Sequence, residues 1–359
     1  MNTNLSFQRI PYIDNVRILY VLILIPFHSA YIFNNLNETF YINGTPSEAL
    51  NAIDVCIYPW WMTGLFVLAG MSTMYALRKR TIKEYAVERV KRLLVPFLVA
   101  LLIVIPPQCY FADKFHNGYE GNFFEHYKVF FSFSDFSGYD GKFTPGNAWF
   151  ILYLFVFSMV FIPFFSWYIK KENKLNCKKI PFIILVILGL LIPVSENILN
   201  IGGKSLLQFA FCFLLGFLVF SDESVQEKLE KHSTFLAIAW IVSMVLRQVA
   251  HSSDELWSSP FSYVAWFLVT CFGILGMIGI GKRYLNKELF FTKYMKSAEF
   301  AVFLIHQTVV VTVGYYIVPV ISNPILAWIV IVFGSFVVTF ALYEIFKRNQ
   351  ITRYMFSIK

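Results

Sequence analysis

The stretch YIDNVRILYVLILIPFH, residues 12–28, decides the fold class of this chain. It is apolar enough to lie within a membrane-crossing helix, since about twenty apolar residues span about 30 Å of hydrocarbon. It also contains Asp14, Arg17 and His28, and ionisable groups inside a bilayer are costly. Such groups normally face the interior of a helical bundle. The segment therefore predicts both a membrane protein and a buried polar site.

The composition of the whole chain extends this pattern. Of its 359 residues, 57% are hydrophobic and only 14% are charged, and the mean hydropathy is +0.60. A soluble domain has about 45–50% apolar and about 25% charged residues. These values exclude a soluble, disordered or collagen-like protein. We predict a multi-pass membrane protein, and we expect no nucleic acid partner despite the net charge of +8.

Ten segments are long and apolar enough to be considered as spans. Their approximate bounds are 15–34, 53–77, 94–112, 147–169, 180–197, 205–220, 234–250, 260–280, 298–318 and 324–346. Residues 78–93 form one of the predicted polar connections, and Gly202 and Gly203 separate two short spans. We predict an all-α polytopic protein of about ten transmembrane helices. We expect residues 1–359 to form a single membrane domain with no appended soluble domain.

The distribution of Lys and Arg predicts the orientation in the membrane. The alternate connections on one side, with the chain ends, hold 24 of these residues, including Arg9, and the other side holds five. Because Lys and Arg are enriched on cytoplasmic loops, both termini are predicted to be cytoplasmic. We expect a location in the plasma membrane, with the basic loops also contacting anionic lipids.

Arg17 and His28 are predicted to share one face of the first helix. They are eleven residues apart, which at 100° per residue is about 20° beyond three full turns, with an axial separation of about 16 Å. Asp14 is three residues before Arg17 and can pair with it. The alternatives are a snorkelling Arg17 and a core histidine at His28 with satisfied hydrogen bonds. Pro26 leaves one carbonyl without a helical donor beside His28.

The same three residues carry a family resemblance. An Arg followed after ten residues by a His, with an Asp three residues before the Arg, resembles the signature of acyltransferase family 3. The Pro-Phe-His end of the segment is most similar to the glucan-modifying, succinyltransferase-like branch. Later segments resemble family motifs in the same order; they are 62–70, 89–96, 148–153 and 297–307.

Two of these later segments depart from the family pattern at one position each. In 62–70, Ala69 stands where serine is usual before the glycine. In 297–307, Phe303 replaces the usual tyrosine ahead of His306. The order and spacing of the segments cover most of the chain, so the set is more specific than any single motif.

The resemblance implies an integral membrane enzyme that moves an acyl group from cytoplasmic acyl-CoA to a hydroxyl of an envelope carbohydrate. Acetyl-CoA and succinyl-CoA are the expected donors, and no permanently bound cofactor is expected. Arginine offers planar, always-charged donors to phosphate groups such as those of CoA. We expect the donor site to include Asp14, Arg17, Arg89 and Arg92. A simple positive-inside signal is the alternative for the last two.

Acyl transfer to a hydroxyl needs a base that titrates near neutral pH, and histidine is the usual choice. We expect His28 to be this base. His306 is the second expected catalytic residue, as a further base, an oxyanion donor or a group that shapes the donor tunnel. A core histidine with satisfied hydrogen bonds is the alternative for His306. Asp54 could orient His28, but capping the second helix is the favoured interpretation.

The sequence predicts no metal site. No histidine pair has HExxH-like spacing and no C-x-x-C motif is present. The five cysteines are interpreted as small core residues, with a disulfide between Cys56 and Cys109 as the less favoured alternative.

The predicted loop 113–146 is the largest on the outer side and interleaves aromatic with acidic residues, including Tyr139. Aromatic faces beside carboxylates are common in sugar-binding sites, but they also occur in interfacial belts. Acceptor binding and membrane anchoring therefore both remain open for this loop. For the whole chain, the rival functions are a transporter of a small anionic or sugar-like solute and a structural membrane protein.

Overall fold

The computed structural model describes residues 10–36, 38–133, 141–172, 174–288 and 290–358. It confirms an all-α architecture, in which the described strands form one short hairpin. In chain order the helices are α1 Pro11–Tyr31, α2 Glu48–Leu77, α3 Ile82–Asn117, α4 Phe123–Phe130, α5 Trp149–Val160, α6 Ile162–Lys170, α7 Phe182–Val194, α8 Leu206–Phe220, α9 Glu223–Lys231, α10 Ser233–His251, α11 Asp254–Trp257, α12 Pro260–Tyr284, α13 Phe290–Ile317, α14 Pro324–Phe346 and α15 Gln350–Met355. The strands are β1 Asn200–Ile201 and β2 Lys204–Ser205.

Within the described part of the chain, seven helices are long and apolar enough to cross a membrane, namely α1, α2, α3, α10, α12, α13 and α14. Two bent pairs raise this number to nine if each forms one span: α5 with α6, bent by 51°, and α8 with α9, bent by 94°. Helix α7 is apolar but has only 13 residues. The multi-pass fold is therefore confirmed, whereas the number of about ten spans and the cytoplasmic termini stay predictions. Residues 1–9, with Arg9, lie outside the described residues.

Helix α1 lies in the middle of the bundle. It packs against α2, α12, α13 and α14, and its buried residues occur on every side of the helix. A helix that is buried all round has no solvent-facing polar stripe. The ionisable groups of α1 therefore lie inside the bundle, as their position in an apolar run predicted.

Helices α2 and α8 approach each other closely through two glycines. A Cβ atom added at Gly70 would lie 2.0 Å from the carbonyl oxygen of Phe213, and one added at Gly216 would lie 2.1 Å from that of Val67. Both contacts are with backbone, which cannot move aside as a side chain can. Gly70 closes the predicted second-span motif, so this packing explains why a glycine stands there.

Helix α3 begins earlier than predicted. Thr81 and Glu84 form a capping box, in which each side chain accepts from the backbone N–H of the other residue. The helix then continues from Ile82 to Asn117. Most of the predicted polar connection 78–93 is therefore helical, because from Ile82 onward it forms the first turns of α3.

Two π-helical turns interrupt the regular α-helical hydrogen bonding of α3, at Val90–Leu94 and Ala100–Val104. A π-helical turn contains more residues than an α-helical turn and rotates the side chains on either side relative to one another. The first π turn includes Arg92 and directly follows Arg89, so both arginines lie on a helix and not in a loop.

Gly202 and Gly203 form the turn of the β1–β2 hairpin. Their φ angles are 56° and 74°, in the left-handed region that a two-residue hairpin turn of this kind requires at both positions. The hairpin pairs Asn200 with Ser205 and Ile201 with Lys204. The two glycines thus build a defined turn between α7 and α8.

Candidate active site

Arg17 lies in a cluster of paired charges between α1 and α13. Its Nε donates to Oε2 of Glu299 at 3.1 Å and its Nη2 donates to Oε1 of the same carboxylate at 2.6 Å. The same Nη2 also donates to Oδ1 of Asp14 at 3.0 Å, which confirms the predicted pair of Asp14 with Arg17. Arg17 Nη1 makes no hydrogen bond within the described residues.

The charge cluster continues to a lysine of α13. Lys296 Nζ lies 3.5 Å from Oδ2 of Asp14 and 2.9 Å from Oε1 of Glu288. The cluster therefore contains both signs and satisfies charges that would otherwise be costly to bury.

His28 lies at the other end of α1, in a pocket of aromatic rings. Its Nδ1 is 2.6 Å from the hydroxyl oxygen of Tyr41, a distance that either ring tautomer allows. The rings of Tyr41 and Trp61 lie 5.9 and 6.0 Å from the His28 ring, measured between centroids. Burial raises the pKa of the Tyr41 phenol well above its usual range, so this hydroxyl stays protonated. Tyr41 therefore fixes the orientation of the His28 ring.

His306 faces His28 from α13, with a centroid separation of 5.2 Å. It is completely buried, and its Nδ1 donates to the carbonyl oxygen of Phe303 at 2.7 Å. Because Nδ1 carries the hydrogen, Nε2 of the neutral ring holds a lone pair. This buried Nε2 has no hydrogen-bond partner among the described residues.

Asn147 supports the Phe303 carbonyl group, to which His306 donates. Its Nδ2 donates to the carbonyl oxygens of Phe303 at 2.8 Å and Leu304 at 3.2 Å. Asn147 can reach α13 because Gly146, with φ of 49°, turns the chain into a short 3₁₀ helix just before α5. This contact links the start of α5 to the histidine pair.

The pairings along α1 and α13 place the charge cluster and the histidine pair on the same helix–helix interface. Arg17 and His28 both contact α13, through Glu299 and His306 respectively. This agrees with the prediction that the two α1 residues share a face. The two partners on α13 are seven residues apart, which is also close to a whole number of helical turns.

A cavity of about 1080 Å³ opens at the end of the bundle where α1 begins, which we call the cationic end. Nine Lys and Arg side chains and five Asp and Glu side chains line it; the cations are Arg17, Arg78, Lys79, Arg80, Arg89, Arg92, Lys178, Lys282 and Lys296. Its apolar lining includes Leu65, Ala69, Phe150 and Phe303. The Phe303 ring lies 6.0 Å from the ring of His306, so the cavity extends towards the histidine pair.

Arg89 and Arg92 line this cavity together with Glu88. The Glu88 carboxylate contacts Nη2 of Arg89 at 3.4 Å, Nε of Arg92 at 3.2 Å and Nη1 of Arg80 at 2.5 Å. One carboxylate therefore serves three guanidinium groups. The Nε atom of Arg89 is buried without a hydrogen-bond partner in the described part of the chain.

Asp54 does not cap α2. The helix begins at Glu48 after Ser47, whereas Asp54 lies in its second turn and accepts a hydrogen bond from Asn34 at 3.1 Å. The favoured prediction of a cap is therefore wrong. No contact among the described residues joins Asp54 to His28, whose Nδ1 contacts Tyr41.

The predicted aromatic loop 113–146 is partly helical, because it contains the end of α3 and all of α4. Residues 134–140, with Tyr139, lie outside the described residues. Within the described ranges, no group of three or more His, Cys, Asp and Glu side chains is placed to hold a metal ion. The five cysteines are free thiols, and four of them are buried.

Four residues of the site were missed in the sequence, namely Tyr41, Asn147, Glu299 and Lys296. Glu299 had a readable signal, because a carboxylate at the start of an apolar run is as unusual as an arginine there. Tyr41 had no such signal. It lies in an irregular connection, and hydrophobic periodicity does not predict the course of such a segment.

The comparisons with known proteins identify the family of this chain. A family model described as "Acyltransferase domain" matches residues 10–344. Proteins named "Glucans biosynthesis protein C" from Salmonella heidelberg and Salmonella agona are 22% and 23% identical to this chain over 375 aligned positions, which cover 97% of the chain and 94% of each relative. No solved structure matches the chain at a significant level. The chain belongs to acyltransferase family 3 and is a multi-pass membrane acyltransferase.

Proposed function

We propose that this protein is a glucan O-acyltransferase of the plasma membrane that takes its acyl group from acyl-CoA bound in the cationic cavity. One observation carries the proposal: the cavity and the histidine pair occupy consecutive stretches of α1 and α13 and meet at Phe303. The relatives are named for glucan biosynthesis, which supports a glucan as the acceptor. Acetyl-CoA and succinyl-CoA are the donors we consider.

The cationic end suits the phosphates of CoA. Arg89 and Arg92 line the cavity beside Glu88, and Nε of Arg89 has no hydrogen-bond partner among the described residues. Arg17 presents its Nη1 while Asp14 and Glu299 hold the rest of the guanidinium in place. In this proposal the donor lies with its phosphates at these cations and its thioester towards Phe303.

The histidine pair suits acyl transfer to a hydroxyl. When Nδ1 of His28 carries its hydrogen and donates to Tyr41, Nε2 has the lone pair that a general base needs. His28 then takes the proton of the acceptor hydroxyl as its oxygen attacks the thioester carbonyl carbon. An ester forms as the C–S bond breaks. His28 returns the proton to the sulfur, so CoA leaves as the thiol.

His306 is better suited to accepting a proton or hydrogen bond than to stabilising an oxyanion. Its Nδ1–H is used by the carbonyl of Phe303, and the neutral ring offers only a lone pair at Nε2. We therefore assign His306 the role of orienting the acceptor hydroxyl, or of a second base, beside His28. Asn147 acts on His306 through the shared carbonyl and is a positioning residue.

The test separates the chemical step from donor binding. We expect His28→Gln to lower turnover of labelled acetyl-CoA or succinyl-CoA by about 10²- to 10⁴-fold with CoA affinity unchanged. We expect the double variant Arg89→Ala, Arg92→Ala to weaken CoA binding instead, more so at high salt. His232→Gln, a histidine far along the chain from the pair, is the matched control. Turnover close to wild type in His28→Gln would contradict the proposal.

A further inference from the structure

Lys204 lies at the end of the bundle where α1 ends and α2 begins, which we call the aromatic end. It is part of β2, and the Tyr153 hydroxyl lies 3.2 Å from its carbonyl oxygen and 3.4 Å from that of Ile201. Ser205, the next residue, is buried and donates to the carbonyl of Ser195 at 2.8 Å. The hairpin is therefore anchored to the bundle, which fixes the place where the Lys204 side chain starts.

The ammonium group of Lys204 lies between two aromatic rings. Its Nζ is 5.6 Å from the ring centroid of Tyr58 and 5.5 Å from that of Trp149. No carboxylate of the described residues lies within salt-bridge distance (4.0 Å) of this group, although that of Glu196 interacts with it electrostatically from farther away. Aromatic faces stabilise a cation only in part, so a half-buried ammonium here retains the capacity to bind an anion.

The two rings that flank Lys204 belong to segments that also contact the histidine pair. Tyr58 is three residues before Trp61, whose ring lies against His28. Trp149 is two residues after Asn147, which donates to the same Phe303 carbonyl as His306 does. Since α2 runs from the aromatic end to the cationic end, Tyr58 lies farther from the cavity than Trp61 does.

Lys204 is therefore beyond the histidine pair when viewed from the cavity, at the level of Tyr58. In a donor that binds from the cationic end, the phosphates lie at the cavity arginines and the thioester lies at the histidines. The part of the donor that reaches farther is the acyl chain. A cation at this position thus faces the far end of the acyl group.

We propose that Lys204 binds the free carboxylate of a dicarboxylic acyl group, such as succinyl, while the thioester carbonyl of that group lies at His28 and His306. The inference rests on the proposed function and names its donor class. An acetyl group has only a methyl group beyond its carbonyl, and a methyl group forms no hydrogen bond or ion pair with an ammonium. A carboxylate two methylene groups farther along gains a charge-assisted hydrogen bond.

The experiment compares two donors in variants at one position. Purified wild type, Lys204→Met and Lys204→Arg are assayed for CoA release from succinyl-CoA and from acetyl-CoA with a linear glucan oligosaccharide as acceptor. For Lys204→Met we expect kcat/KM for succinyl-CoA to fall about 10- to 100-fold, the scale of one hydrogen bond to a charged group, with acetyl-CoA within about threefold of wild type. Lys204→Arg should retain most of the succinyl-CoA activity. Lys128→Met removes an exposed cation from α4 and is the matched control.

The outcomes separate this inference from the function on which it rests. An equal loss with both donors, or no loss with either, would overturn the role of Lys204. Wild type that uses acetyl-CoA but not succinyl-CoA would also overturn it and leave the proposed function intact. If wild type releases CoA from neither donor, the proposed function fails and the inference fails with it.

Discussion

At the scale of single residues, the site depends on charges that compensate one another. Arg17 would be costly inside an apolar bundle, but Glu299 binds it through two oxygens and Asp14 through a third. Removing one partner of a buried ion pair is more harmful than never having the pair, since it leaves a charge without compensation. The Arg17–Glu299 pair therefore holds α1 and α13 together at the wall of the cavity.

This gives a prediction for Glu299→Gln. Breaking a buried pair costs about 3–5 kcal/mol, and we expect about 2 kcal/mol here because the Arg17 side chain is 29% exposed. The variant should have a lower apparent Tm in detergent and weaker CoA binding. Glu288→Gln is the control, because its side chain is 71% exposed and should have little effect. Equal melting temperatures for wild type and Glu299→Gln would refute the structural role of this pair.

The sequence predicted the arginine and the two histidines of this site but not the residues that hold the histidines in place. Arg17, His28 and His306 could be found because ionisable residues are rare in apolar runs. Tyr41 and Asn147 could not, because they reach the histidines from irregular segments, and their partners are fixed by tertiary packing. Glu299 was missed although the same rule that singled out Arg17 applies to it.

At the scale of helices, the apolar runs located the elements, since a chain in lipid must satisfy its backbone hydrogen bonds within helices. The start of α3 was missed because the basic character of 78–93 resembles a loop. Thr81 and Glu84 have the spacing of a capping box, so the signal was present in the sequence. The π-helical turns and the bends within α5–α6 and α8–α9 have no comparable signature.

The close approach of α2 and α8 leads to a prediction for Gly216→Ala. Its new methyl group would lie 2.1 Å from the carbonyl oxygen of Val67, so the two helices must separate. Overpacking of this kind costs about 1–3 kcal/mol or more, and the apparent Tm should fall accordingly. Gly276→Ala is a matched control, because the nearest atom to its Cβ would be 3.6 Å away, in ordinary contact. A Gly216→Ala protein as stable as Gly276→Ala would show that α2 and α8 do not pack in this way.

The contact between α4 and α3 predicts a pH dependence. Nε2 of His126 lies 3.1 Å from Oδ2 of Asp113, and burial lowers the pKa of His126 despite the attraction of this carboxylate. The folded protein then binds fewer protons here than the unfolded chain does. The contribution of His126 to stability is full above its ordinary pKa of about 6.5 and falls as pH drops below that value.

The measurement compares the apparent Tm at about pH 7.5 and about pH 5.5, on either side of that ordinary pKa. Wild type should lose more stability over this interval than His126→Gln, which has no proton to gain. An identical loss in both proteins would mean that His126 does not contribute to the pH dependence.

At the scale of the whole molecule, the polar chemistry is arranged along the axis of the bundle. The cation-lined cavity lies at one end, the histidine pair lies farther along α1 and α13, and Lys204 lies among aromatic rings at the other end. The Lys and Arg bias of 24 to five predicts that the cationic end is cytoplasmic. This order suits an enzyme that receives its donor on one side of a membrane and its acceptor on the other.

A measurement of sidedness tests this central claim most directly. Sealed inside-out vesicles containing the protein are loaded with a glucan oligosaccharide, and acyl-CoA with a labelled acyl group is added outside, on the predicted cytoplasmic face. We expect free CoA to return to the outside and the labelled acyl group to appear on the glucan in the lumen. The His28→Gln protein should give neither product above background. Intact acyl-CoA accumulating in the lumen would indicate transport, and would contradict the account.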